Sequence, residues 1–519
     1  MLAKTFTGAV NGIDARVVEI EINTTESRRP PPGTDSAVSI VGLPDAAVRE
    51  SRDRVFSAFS CSGFRTPRGF TVVNLAPAGL RKEGAAFDLG IAVGLLAASG
   101  ALPADRPAAA GILGELALDG TVRPVCGALP VAAALAMERG IEMLVVPDAN
   151  AREAALAVSG RLPVYAVRDL AEAVRTVASG SGRRCEATLE SYLRESSPDQ
   201  PDFSEVKGQH LARRALEIAA AGGHHVLMAG SPGTGKTMLA MRLPGILPPL
   251  TPEEALETSR IHSVLGMLSS GRPIVDRRPF RAPHHTVSDV GLIGGGRDPR
   301  PGEISMAHNG VLFLDELPEF RRQVLEVLRQ PMESGVVTVS RAAGSCTFPA
   351  RFLLCAAMNP CPCGRGSVEL GCRCRPEEIR RYRNKLSGPL LDRIDLLVEL
   401  PRLKPEELTG APPGESSAAV RERVVAARER QYARSRKYGG DYCNSRLTPR
   451  MLRETCAVTP SQELLLREAI RRFKLSPRAY DRILKVARTV ADLAGCAELR
   501  DEHLFEAVNY RNCPALQER

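Results

Sequence analysis

The chain has 519 residues, 44% of them hydrophobic and 25% charged, with a formal net charge of +9. These proportions exclude a disordered or fibrous chain, and the length implies about three globular domains. No signal peptide is expected and the most apolar run, Leu89–Leu102, is too short to span a bilayer, while thirteen cysteines without a secretion signal point to a reducing cytoplasm. The arginine-rich surplus permits a polyanionic partner without requiring one.

Residues 1–178 read as one α/β domain. Ala15–Ile22 alternates apolar and polar residues as a strand does, and Asp45–Phe59 and Ala128–Arg139 carry helical periodicity. Asn23–Ser36, with three prolines, is expected to be a mobile loop. Two segments, Pro77–Gly84 and Gly114–Gly120, resemble the proteolytic domain of Lon proteases, an S5-like α/β fold. That family works by a Ser/Lys dyad. Here Ala86 stands where the serine should follow, and Pro130 where the lysine should. Without a nucleophile or an amine base, the resemblance implies a Lon-like scaffold that has no acyl chemistry.

Residues 179–205 are a linker by composition. The turn Val206-Lys207-Gly208-Gln209 and an alanine-rich helix, Leu211–Ala221, come next. In AAA+ ATPases a similar turn lines the adenine pocket, and the resemblance assigns Val206 and Gln209 there. A short apolar strand, His225–Ala229, then enters Gly230-Ser231-Pro232-Gly233-Thr234-Gly235-Lys236-Thr237. This fits the phosphate-binding loop G-x-x-x-x-G-K-[ST]. Glycines let backbone N–H groups close around a phosphate, and the helix that follows points its N-terminus at the anion. Lys236 supplies charge for the β- and γ-phosphates of ATP, and Thr237 a hydroxyl for Mg²⁺. Val311-Leu312-Phe313-Leu314-Asp315-Glu316 reads as the acidic partner strand. Asp315 is placed to hold Mg²⁺ through its water shell and Glu316 to polarise the attacking water.

About seventy residues separate the loop helix from Asp315, more than one crossover needs, so an insertion is expected. Within it, Arg278–Thr286 and Gly291–Gly296 read as exposed loops. Adjacent His284 and His285 suggest a metal site, but on an extended chain they would point to opposite sides. The glycine run reads as a hinge or a pore-facing loop. Beyond Glu316, a helix over Arg321–Glu333 precedes a hairpin containing Val336–Val339. The buried strand Phe352–Met358 ends at Asn359, the position of sensor 1 in AAA+ proteins. Two Cys-x-Cys pairs follow, Cys361 with Cys363 and Cys372 with Cys374. They can offer four thiolates to tetrahedral Zn²⁺, with redox sensing or loose thiols as alternatives.

Pro389–Leu396 resembles the arginine-finger stretch of magnesium chelatase ATPase subunits, minichromosome-maintenance helicases and enhancer-binding activators. Arg393 is the candidate finger; the alternative is a salt bridge with Asp392 or Asp395. A finger places the active site between subunits and requires a ring. Residues 401–417 read as a second linker. Ala418–Tyr438 is a charged helix expected to present a solvated face. Leu464–Arg472, Pro477–Leu493 and Asp501–Arg511 form an all-helical end. Ser476-Pro477-Arg478 resembles the start of the sensor 2 helix, which would make Arg478 a nucleotide sensor.

Taken together, the loops at 278–286 and 291–296, Pro301–Ser305, Leu312–Phe320, Asn359–Gly364 and Ser476–Arg482 resemble the YifB/ComM family. These are bacterial AAA+ ATPases, often labelled magnesium chelatase-like, with a Lon-like N-terminal domain. The resemblance implies an AAA+ αβα core over 206–400 and a helical lid over 418–519. It further implies a hexameric motor that drives branch migration of single-stranded or branched DNA in homologous recombination and natural transformation, working beside recombination proteins. A chelatase-type motor acting on a protein partner and a protein-remodelling regulator remain alternatives.

Overall fold

A computed structural model describes residues 1–25, 38–67, 69–103, 105–194, 201–296, 299–341, 344–366, 371–403, 414–473 and 475–513. The chain forms two compact units, Met1–Ser196 with Thr251–Asp276, and Ser197–Leu250 with Arg277–Arg519.

The first unit is built on an eight-stranded mixed sheet. Its centre is the antiparallel hairpin of Leu2–Asn11 and Asp14–Thr25, in register from Leu2 opposite Asn23 to Asn11 opposite Asp14. On the second strand Val18, Ile20 and Ile22 are fully buried while Glu19 and Glu21 between them face outward, so the alternation read from the sequence sets which face is core. The wholly buried helix Asp88–Ala98 lies on that face. Glycine at 94 lets the helix approach closely, since a Cβ there would stand 2.5 Å from Ile22 Cδ1 and displace it. Ala86 lies in the turn before this helix and Pro130 within the helix Ala128–Leu135. Most of the loop expected over Asn23–Ser36 falls outside the described residues, although Asn23–Thr25 continue the strand.

Two sequence expectations change here. Residues 251–276, which the sequence reading places within 206–400, fall in the same compact unit as the N-terminal sheet, where the helix Pro252–Val264 packs on Ala128–Leu135. The helix Pro252–Val264 starts on a capping box between Thr251 and Glu254. At its far end Ser263 accepts a hydrogen bond from the Leu129 amide (3.2 Å) and donates one to Glu153 (2.9 Å), while its carbonyl accepts from Gly127 (2.9 Å). Burial of Glu153 raises its pKa. Buried serines carry no hydrophobic signal, which is why this docking is invisible in the pattern. The linker expected over 179–205 also carries regular structure, because Arg184–Cys185 pair antiparallel with Val164 and Tyr165 at the sheet edge and Leu189–Arg194 form a short helix. Residues 195–200 of it lie outside the described residues.

The second unit holds a five-stranded sheet in the order Phe280–Arg281, Val311–Leu314, Leu353–Met358, Val226–Gly230, Leu396–Leu400, with every pair parallel. A parallel sheet covered on both faces needs nearly continuous apolar strands, and Val311–Leu314 and Leu353–Met358 are buried at every position. The helix expected over Arg321–Glu333 divides into Arg322–Val327 and Arg329–Ser334 and leads into the hairpin Val336–Arg341 with Gly344–Pro349. Helices Ser417–Ser435, Pro449–Thr455, Pro460–Arg472, Pro477–Leu493 and Asp501–Asn509 complete the unit.

These helices are tied to the sheet by buried polar groups. His224 bridges Asp395 (3.0 Å) and Thr489 (2.8 Å), and Arg434 pairs with buried Asp492 (2.7 Å). The charged helix therefore does not present a simple solvated face. Arg423 pairs with Glu217 (2.7 Å), and Arg428 donates to the carbonyls of Ala220 and Ala221, the last turn of the helix His210–Gly222, where cations favour the dipole. Of the second expected linker, residues 404–413 lie outside the described residues and Ser417 already begins the helix.

Candidate nucleotide site

Parallel strands deliver their C-terminal ends to one edge, where ligands of open α/β sheets bind. Here the edge gathers Gly230, Asp315 and Asn359 from three adjacent strands. The phosphate loop turns through Gly233 (φ +80°) and Gly235 (φ +90°), in the left-handed region that glycine adopts without strain. Lys236 opens the helix Lys236–Ile246. Its Nζ donates to the carbonyls of Gly230 (2.6 Å) and Ser231 (3.0 Å) and to Asn359 Oδ1 (3.2 Å). Burial lowers its pKa, opposed by the charges of Asp315 and Glu316. Thr237 Oγ1 donates to Asp315 Oδ2 (2.9 Å), and Asp315 Oδ1 accepts from the Glu316 amide (2.9 Å). Four expected residues, Lys236, Thr237, Asp315 and Asn359, are thus drawn together at the strand ends. Glu316 has a left-handed backbone (φ 50°, ψ 47°), a conformation that costs a non-glycine residue on the order of 1 kcal/mol or more.

Val206 and Gln209 are both buried. Gln209 Nε2 donates to Thr234 O (3.1 Å) and Pro401 O (2.8 Å), lacing the turn to the phosphate loop. Its Oε1 is buried and has no hydrogen-bond partner among the described residues.

The cysteine loop leans on the same edge. Ser231 Oγ donates to Arg365 O (3.4 Å), and a Cβ at Gly364 would meet the Pro232 ring at 2.8 Å. The sulfurs of Cys361, Cys363, Cys372 and Cys374 all lie within 4.8 Å of one another. Three of the separations are 3.4 Å for Cys361–Cys363, 3.7 Å for Cys361–Cys372 and 3.5 Å for Cys363–Cys372. They fall close to the edge of about 3.8 Å that a tetrahedron with Zn–S bonds of about 2.3 Å requires. The backbone N–H of Arg365 and the Cys361 thiol hold Cys363 down to about 6, while burial pushes Cys361 up. The donor set fits zinc.

Arg393 has its guanidinium on Glu333 (2.7 Å) and on Pro389 O (2.7 Å). Neither of the acids weighed from the sequence is its partner. Asp395 is taken by His224 and Arg482, and Asp392 accepts from Ser476 Oγ (3.1 Å). Arg478 is exposed on the first turn of the helix Pro477–Leu493. One turn on, Arg482 reaches Asp395 and Arg393 O. Only the three-dimensional path distinguishes these two arginines.

The histidine pair also departs from expectation. The chain turns at His285 rather than staying extended, so the two rings lie 4.0 Å apart. His285 Nδ1 comes within 3.7 Å of Glu316 Oε2. The sequence carries no signal for this approach, because nothing in the pattern says that the short strand before His285 is the neighbour of the acidic one. A cleft of about 690 Å³ opens nearby, where Arg321, Arg322, Arg380, Arg381 and Lys385 outnumber Glu319 and Glu377.

No helix among the described residues is long and apolar enough to cross a membrane. Three family models match the chain: magnesium chelatase, subunit ChlI, over residues 202–408; subunit ChlI of Mg-chelatase over 31–150; and magnesium chelatase, subunit ChlI C-terminal, over 414–511. The chain is 44% identical over 515 residues to the uncharacterized protein YifB of Salmonella typhimurium, covering 98% of this chain and 97% of that one. It is 43% identical over 514 residues to the competence protein ComM of Haemophilus influenzae, again 98% and 97%. The 38 kDa magnesium-chelatase subunit of Cereibacter sphaeroides matches at 27% over 175 residues, 30% of this chain and 52% of that one.

Proposed function

We propose, from the premise that this chain belongs to the YifB/ComM family of magnesium chelatase-like AAA+ proteins, that it is a cytoplasmic, ring-forming ATPase that moves DNA through branch migration. The observation that carries the ATPase reading is the Lys236–Asn359 and Thr237–Asp315 pair of hydrogen bonds across the ends of three strands. Each of these groups is held by a neighbour that nucleotide would replace.

The roles follow from the chemistry of each group. Backbone N–H groups from Gly233 to Thr237 bind phosphate, and Lys236 exchanges its carbonyl partners for the β- and γ-phosphates. Thr237 and Asp315 would hold Mg²⁺, which supplies charge neutralisation at the phosphates. Glu316 accepts the proton of the attacking water, and Asn359 orients that water or the γ-phosphate. Val206 and Gln209 would line the adenine pocket, because their turn is laced to the phosphate loop through Gln209 Nε2. Arg393 acts on a neighbouring subunit's γ-phosphate once Glu333 releases it, and Arg478 senses nucleotide from the lid. Cys361, Cys363, Cys372 and Cys374 would hold a structural zinc that stiffens the loop between Asn359 and the phosphate loop.

DNA as the moved polymer rests on two supports. One is the full-length similarity to a protein named for competence; the other is the unbalanced positive charge of the 690 Å³ cleft. A chelatase-type motor is the second reading, favoured by the three magnesium chelatase family models and by the match to the 38 kDa chelatase subunit, which itself covers 30% of the chain. ATP hydrolysis measured with and without single-stranded and branched DNA separates the two, alongside native mass with ATP. Hydrolysis indifferent to DNA, with no junction moved, would sink the helicase reading. Full-speed hydrolysis by a lone subunit would remove the ring.

A further inference from the structure

The first unit carries a cleft that the nucleotide chemistry does not use. Part of its sheet is parallel, and there the strands Met143–Pro147 and Val164–Val167 end side by side. The next residue beyond each is charged, Asp148 after the first and Arg168 after the second. Open α/β sheets take their ligands at this carboxyl edge. A cavity of about 500 Å³ opens between Asp148, Arg152, Arg168, Val122, Ser270 and Gly271, within the size range of small-ligand sites.

The walls are held in place. Arg168 O accepts from Val122 N (2.8 Å) and Arg168 N donates to Glu172 Oε2 (2.8 Å), so the backbone that carries this guanidinium is fixed. A second wall is a tight turn, in which Ser269 and Arg272 exchange backbone hydrogen bonds (3.1 and 2.9 Å) and leave Ser270 and Gly271 at the tip. A Cβ on Gly271 would meet nothing within 4 Å, so the tip borders open space. Arg152, on the first turn of the helix Ala151–Val158, donates from Nη1 to Ser270 O (3.1 Å) and ties the turn to that helix.

The charge of the cleft is unbalanced. Asp148 is shared between Arg183 (2.8 Å) and Arg168 (3.3 Å), and Glu172 lies 4.0 Å from Arg183. Arg152 gives its hydrogen bond to a neutral carbonyl, so three arginines stand against two carboxylates. Asp148 engages Arg168 through Nε, which leaves the Nη groups for a second acceptor. Guanidinium forks of this kind match the oxygens of a phosphate.

We infer that this cleft binds a phosphate group, held by Arg152 and Arg168 against the Ser270–Gly271 turn, and carried by a nucleic-acid backbone or by a small phosphate ligand. The site lies in the unit without the phosphate loop and owes nothing to ATP hydrolysis. Because the turn belongs to residues 251–276, the bound anion would also fasten that segment to the sheet.

Phenylglyoxal modification of the full chain, read at each arginine by peptide mass spectrometry, tests the site. Inorganic phosphate or a single-stranded oligonucleotide should slow modification of Arg152 and Arg168 at least threefold and leave Arg139, an exposed arginine of the same unit, unchanged. Potassium chloride at equal ionic strength should protect neither. Protection by the oligonucleotide at the lower concentration of phosphate groups assigns a nucleic-acid backbone, and the reverse order assigns a small ligand. Arg152→Gln should abolish the protection of Arg168, since an arginine already engaged by Asp148 does not hold the anion unaided. No protection by either probe, equal protection of Arg139, or equal protection by chloride would overturn the assignment. So would protection of Arg168 that survives Arg152→Gln.

Discussion

Lowering the pH should destabilise the second unit through one histidine. His225 sits at the entrance of the strand Val226–Gly230, and its Nδ1 accepts a hydrogen bond from the Leu354 amide (3.0 Å), which fixes that nitrogen as unprotonated. Burial, assisted by Arg482, His224 and Arg446 and opposed by Asp395, lowers its pKa from 6.5 to about 4. The native state thus refuses a proton that the unfolded chain takes up. Its stabilising effect is complete above pH 6.5 and is lost as pH falls through that window towards 4. At about 1.4 kcal/mol per pH unit, the loss is about 3 kcal/mol. His225→Asn keeps an acceptor near the same place and cannot titrate. The chain has no tryptophan, so urea unfolding followed by far-UV circular dichroism is the assay, run on both proteins from pH 7 to pH 4. The stability difference, wild type minus variant, should become more negative by about 3 kcal/mol across the series. A difference that stays flat within about 1 kcal/mol, or moves the other way, would refute the argument.

Four further outcomes test the site. Glu316→Gln should bind ATP and assemble normally while hydrolysis falls by at least about a hundredfold, the usual scale for removing a positioned base; single-turnover hydrolysis is the measurement. Arg393→Ala should also bind ATP yet hydrolyse slowly, and mixing it with Lys236→Ala protein should restore activity if the finger acts on a neighbour. Protein purified without chelator should contain close to one zinc per chain by elemental analysis, and Cys363→Ser should lose both the metal and nucleotide affinity, because Gly364 and Arg365 abut Pro232 and Ser231. Replacing Arg380 and Arg381 in the basic cleft with alanine should flatten the salt dependence of single-stranded DNA binding by about 1.4 in log–log slope, about 0.7 for each phosphate no longer neutralised, and leave DNA-free hydrolysis intact.

Much of the site was legible because its signals are local. A phosphate loop is one contiguous turn, and its glycines, lysine and threonine stand in fixed order. The acid pair and Asn359 each end an apolar run, and a run that ends in a polar residue marks the edge of a parallel sheet. Their mutual contacts then follow from strand adjacency, which the order of such folds supplies. The four cysteines were legible for the same reason, since a loop that separates Cys361 from Cys372 by eleven positions can bring their sulfurs to 3.7 Å without help from the rest of the chain.

What the sequence determined by itself was the fold class, the phosphate-loop motif and the chemistry available at each strand end. Tertiary structure alone decided which groups meet across long separations. It gave Arg393 to Glu333 instead of Asp392 or Asp395, brought Arg482 rather than Arg478 onto Asp395, and set His285 beside Glu316. It also moved residues 251–276 into the N-terminal unit on hydrogen bonds made by Ser263. The physical reason is common to all of them. Hydrophobic periodicity reports only which face of an element is buried, whereas polar pairing depends on register and on elements distant in the chain, where many partners are compatible with the same pattern and packing selects one.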